Sequence, residues 1–74
     1  MEPRRIGKRI KAFRKLKGYT QIAFAKKLDV SIAVLGNVER GTEVAADDLL
    51  NKIADTLSIS REELTLENEE NGIV

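Results

Sequence analysis

The sequence predicts an all-α domain of five short helices, and three observations predict it. Apolar residues recur at helical spacing between turn signals, and no stretch alternates in the period of a strand. The segments open or close on residues suited to helix caps. The chain has 74 residues with neither cysteine nor histidine, so packed aliphatic helices have to supply its stability, helped by dimerisation. That size corresponds to one small domain near the lower limit of independent folding.

The first helix is expected over residues 1–17. Pro3 suits its first turn, where a missing N–H costs nothing. Ile6, Ile10, Phe13 and Leu16 fall on one side, with Arg4, Lys8, Lys11 and Lys15 opposite and Arg5 and Arg9 flanking. Gly18 suits the position just past the helix end. Thr20 is the candidate N-cap of a second helix that carries Phe24, Ala25 and Leu28 at helical spacing. Asp29 stands where the chain must reverse, and aspartate tolerates the left-handed conformation better than most residues. Val30 is placed to plug the corner. Ser31 can cap a third helix, which runs through Leu35 and Val38 and stops at Gly41. Ala25 is small enough for the two helices to approach closely at a steep angle. Two short helices joined by so tight a turn are the signature of a helix-turn-helix.

A loop over residues 42–46 leads to a fourth helix at 47–57, with Leu49, Leu50, Ile53, Ala54 and Leu57 on its inner stripe. Asp47 and Asp48 fall in its first turn, where negative charge complements the helix dipole. After Ser58 and Ile59, Ser60 to Glu63 has capping-box spacing and starts a short fifth helix containing Leu64. The domain is expected to span residues 1–66, with 67–74 an acidic flexible tail.

The net charge of +1 conceals a sharp division. Residues 1–27 hold ten basic residues against one acid, +9, and residues 28–74 hold three against eleven, −8. A chain divided in this way can present a basic face to a polyanion. No apolar run approaches the roughly 18 residues of a membrane span. The charged, amphipathic N-terminus lacks a signal-peptide core, so a cytoplasmic protein without membrane association is expected. No catalysis, cofactor or metal is expected. Asp47 with Asp48, and Glu62 with Glu63, are better explained as helix N-terminal charges than as catalytic pairs.

Arg14 lies at the edge of the first helix's apolar side, and Glu39 is similarly placed at the end of the third. A pair between them would tie the two helices together as a structural ion pair.

The segments IGKRIKAFRKLKGYTQ, LDVS, VERG and LLNKIADTLSISREEL, in this order and spacing, resemble the phage repressor/Cro-type helix-turn-helix domains, the XRE family. The resemblance covers residues 6–64. It implies a compact five-helix, lambda-repressor-like DNA-binding domain, a transcriptional regulator and commonly a repressor, with the third helix in the major groove of double-stranded DNA. It further implies that Gln21 touches a phosphate and braces the third helix. Ser31, Ile32, Ala33 and Asn37 match positions that face base edges or backbone, and Arg40 matches a backbone-contacting position. Arg14 and Glu39 match the family's ion pair. The resemblance also implies a homodimer, with helix 5 and the end of helix 4, around Leu57, Ile59 and Leu64, as its surface.

Several residues depart from that pattern. Ile32, Ala33 and Val34 put apolar side chains where polar ones are usual, leaving Asn37 as the main hydrogen-bonding base reader. Gly36 stands where serine is common. The loop after Gly41 has no basic residue and carries Glu43. Ile22 and Ala23 replace acidic or polar residues. A second reading therefore stands beside DNA binding: a protein partner bound on an apolar face of Ile22, Ile32, Ala33 and Val34.

Overall fold

A computed structural model describes residues 3–65 of the chain, and these contain five helices and no strand. They are α1 (Pro3–Leu16), α2 (Gln21–Leu28), α3 (Ile32–Arg40), α4 (Asp47–Leu57) and α5 (Arg61–Thr65). The expected extension of the first helix to Met1 and the expected acidic tail from 67 lie outside the described residues.

Local chemistry sets the boundaries. Thr20 accepts from the Ala23 N–H at 3.0 Å, and Ser31 accepts from the Val34 N–H at 3.1 Å, so each hydroxyl satisfies a first-turn donor. Asp29 (φ 59°) and Gly41 (φ 81°) end α2 and α3 in the left-handed conformation. Past the end of α1, Gly18 does the same at φ 84°. In each case the N–H groups that follow bond back to the last turn, as Val30 N–H does to Ala25 O at 3.0 Å. Ser58 also takes φ 59°, which ends α4 without a glycine. Ser60 caps α5 through the Glu63 N–H at 3.3 Å. Ser31→Ala is expected to cost about 1 kcal/mol, read from the urea midpoint, with Ser31→Gly losing only a few tenths.

The core consists of Ile6, Ile10, Phe24, Leu28, Leu35, Val38, Leu50, Ile53, Leu57 and Leu64, with Ala25, Ala45 and Ala54 between them. Phe13, Tyr19, Val30, Val34, Leu49 and Ile59 pack against its edge. Tyr19 and Phe24 meet with ring centroids 5.2 Å apart. Lys52 reaches from α4 to the carbonyl of Leu28 at 3.1 Å, placing a cation on the C-terminal end of α2. On α5, Arg61 pairs with Asp47 in the first turn of α4 at 2.6 Å.

Three expectations are corrected. The first helix ends at Leu16, and Leu16 is 76% exposed rather than part of the inner stripe. Ile6, Ile10 and Arg14 are the buried row, each one turn beyond the last, so the charged Arg14 takes the place assigned to Leu16. Second, Leu57 and Leu64 are fully buried and cannot form a dimer surface. The five-residue α5 folds back against both α1 and α4, which turns Leu64 inward. Third, Val34 is half-buried against the core instead of facing outward.

Candidate nucleic-acid interface

One buried salt bridge anchors the helix-turn-helix. Arg14 Nε donates to Glu39 Oε2 at 2.7 Å and Nη2 to Oε1 at 3.2 Å, so the guanidinium grips both carboxylate oxygens. Both residues are 6% exposed. The same guanidinium donates through Nη1 to the carbonyl of Tyr19 at 2.9 Å. Gln21 Nε2 donates to Glu39 Oε1 at 2.9 Å. Helix α1, the entry to α2 and the inner face of α3 therefore share one polar node. Its donors consume the Glu39 charge before that charge could repel a phosphate.

A second contact sets the distance between α1 and α3. A Cβ added at Gly7 would lie 2.4 Å from Val38 O and 2.5 Å from Glu39 O. The backbones approach this closely only because position 7 carries no side chain. Gly41 likewise packs on Arg4, with an added Cβ 2.7 Å from the Arg4 Cα. The first turn of α1, with its exposed Arg4, thus abuts the C-terminal end of α3.

Held from behind in this way, α3 presents its other side to solvent. Ala33, Asn37 and Arg40 follow one another along that side at helical spacing, with Ile32 flanking. Ala33, Ile32 and Arg40 are exposed, and Asn37 is half-buried. Ile32 is 45% exposed, and Ile22 on α2 is 60% exposed. Asn37 is not free: its Oδ1 accepts from Arg40 Nη2 at 2.6 Å and its Nδ2 donates to Glu43 Oε1 at 3.3 Å. Gln21 sits apart from this stripe and is bonded to the inner node, and the Ser31 hydroxyl is engaged in capping.

The helix ends are unequal in charge. Neither α2 nor α3 carries an acid in its first turn, whereas α4 begins with Asp47 and Asp48 and α5 with Glu62 and Glu63. The partial positive ends of α2 and α3 are therefore left uncompensated, the arrangement that suits an incoming phosphate. Lys26 and Lys27 are exposed in the last turn of α2.

Residue reading missed Gly7, and it missed the roles of Gly36 and Glu43, both of which it had noted as departures. Gly7 and Gly36 matter for what they leave out, and Glu43 meets Asn37 across a loop where no helical period applies. No spacing rule in the sequence could have found them.

Comparison with known proteins places this geometry. The family model described as Helix-turn-helix (HTH_3) matches residues 10–64. A Bacillus subtilis (strain 168) protein described as the uncharacterized HTH-type transcriptional regulator YazB is 50% identical over 64 residues, covering 86% of this chain and 93% of that protein. The crystal structure of the restriction-modification controller protein C.AhdI from Aeromonas hydrophila superposes with a TM-score of 0.79 at 30% identity, over 82% of this chain and 92% of that one. The structure of SinR, a master regulator for biofilm formation solved in complex with DNA, gives a TM-score of 0.77 at 34% identity, over 81% of this chain and 97% of that one.

Proposed function

The chain belongs to the HTH_3 helix-turn-helix family, and from that membership we propose that it is a sequence-specific DNA-binding transcriptional regulator with α3 in the major groove. The observation that supports it best is the outward stripe of Ile32, Ala33, Asn37 and Arg40 on a helix braced from behind by the Arg14–Glu39 node. The acid-free N-termini of α2 and α3 face phosphates, together with Arg40, Lys26, Lys27 and the exposed basic residues of α1. Ile32 and Ala33 touch thymine methyls, and Asn37 bonds a base edge. The Ser31 hydroxyl stays on its own helix, so its backbone N–H is the group offered to phosphate. Gln21 acts chiefly through Glu39. Among the described residues no helix is long and apolar enough to cross a membrane, and work on DNA would place the protein in the cytoplasm. As a homodimer it would read an inverted repeat with half-sites about one helical turn apart. The subunit contact would use residues around Ile59 rather than the buried Leu57 and Leu64.

The test is a titration with mixed duplex DNA at two salt concentrations. Roughly three or four neutralised phosphates predict a roughly 40- to 150-fold loss of affinity for a fourfold rise in salt. Absence of binding at the lower salt would end this reading. The exposure of Ile22 and Ile32 favours a second use of the same face, for a protein partner. That use predicts a partner lost by Ile32→Glu and no salt-dependent DNA binding.

A further inference from the structure

Gly36 lies in the middle of the outward stripe of α3, yet it is buried. Its cover is Arg40. Outside the helix's own backbone, the three atoms nearest to a Cβ added at position 36 would all belong to that guanidinium, Nη1 at 3.2 Å, Nη2 at 3.7 Å and Cζ at 3.8 Å. Arg40 therefore folds back over one helical turn and rests against the place where any other residue would put its Cβ. From that seat Nη2 donates to Asn37 Oδ1 at 2.6 Å. At the other end of the same carboxamide, Nδ2 donates to Glu43 Oε1 at 3.3 Å.

A guanidinium has only donors and a carboxylate only acceptors. One neighbour thus selects the oxygen end of Asn37 and the other selects the nitrogen end. Rotating the amide by half a turn would set NH₂ against Arg40 and oxygen against Glu43, losing both bonds and opposing like partial charges. A carboxamide offers two lone pairs and two N–H groups, and these contacts use one of each. The one lone pair and one N–H left over are what a bidentate pair with adenine N6 and N7 requires.

We propose that Arg40 and Glu43 are positioning residues that hold Asn37 in the orientation that reads adenine, and that Gly36 is the seat that makes this possible. The inference rests on the DNA-binding reading above and deepens it. It makes the one acid of the loop after α3 a determinant of selectivity rather than a mere obstacle to phosphate.

The experiment uses duplexes enriched from random sequence by the full chain, with each base pair then varied singly. Asn37→Ala should erase an adenine preference at one position and leave the others. Glu43→Gln should lower the same preference about three- to tenfold, part of what a bidentate pair supplies, because glutamine can satisfy either end of the amide. Its affinity for mixed DNA should hold or rise, since a negative charge is lost. Gly36→Ala, which pushes the Arg40 guanidinium by a few tenths of an ångström against its bond to Asn37, should lower the preference without lowering the melting temperature. An unchanged or sharper preference in Glu43→Gln overturns the proposal while leaving DNA binding intact, as does indifference of every position to Asn37→Ala. Failure of the wild type to bind any duplex at low salt overturns the DNA reading and this inference with it.

Discussion

Arg14→Ala is expected to lower the unfolding free energy by about 3–5 kcal/mol, enough to unfold part of the population of a small domain at room temperature. The loss comes from what remains. Glu39 is 6% exposed and would keep one neutral partner, Gln21, for a buried charge. The Tyr19 carbonyl would lose its Arg14 donor as well. Replacing both ends is a different experiment. Arg14→Met with Glu39→Leu removes both charges and fills the space, so most of the loss should be recovered. Urea denaturation of the two single variants and the pair closes the cycle. A loss below about 1 kcal/mol in Arg14→Ala would mean the pair behaves as a solvated surface contact, contrary to its burial.

The second large effect is expected at Gly7. Alanine is favoured over glycine inside a helix by about 1 kcal/mol, so propensity alone predicts a more stable Gly7→Ala. Packing opposes it. The new methyl would sit 2.4 Å from Val38 O and 2.5 Å from Glu39 O. Both are backbone atoms in the last turns of α3 and cannot rotate away, so α1 and α3 must separate. Overpacking costs about 1–3 kcal/mol where side chains can adjust, and a backbone contact belongs at or above the top of that range. A net loss of about 2 kcal/mol or more is expected, together with weaker DNA binding, because the displaced segment carries Asn37 and Arg40. Gly36→Ala is the control, since the nearest atoms outside its own helix backbone belong to a flexible guanidinium. Thermal melts should place Gly7→Ala well below wild type and Gly36→Ala at or above it. A Gly7→Ala variant that melts above wild type would show that the two helices can part at no cost.

Helix count, order and most boundaries were legible because each is decided within a few residues. Thr20, Ser31 and Ser60 cap helices through hydroxyls bonded three residues on, and Asp29 and Gly41 turn the chain through their own backbone angles. The Arg14–Glu39 pairing was also legible, since few charges fall beside an apolar row. The inner stripe of α1 was not. Leu16 extends the apolar count, but the packed row runs Ile6, Ile10, Arg14, and hydrophobicity cannot show that a charge will be buried with a partner from another helix. Leu57 and Leu64 looked available for a subunit contact because nothing local says that a five-residue helix folds back on the core.

By itself, then, the order of residues determined how many helices form, most of the places where they start and stop, and that positive charge gathers in the first third of the chain. Only tertiary structure decided how near α1 comes to α3 at Gly7, and that Arg40 and Glu43 take hold of the two ends of Asn37. The physical reason is range. Caps and turns are bonds between near neighbours in the chain. Helix crossings and loop returns join groups whose approach depends on every other contact in the core.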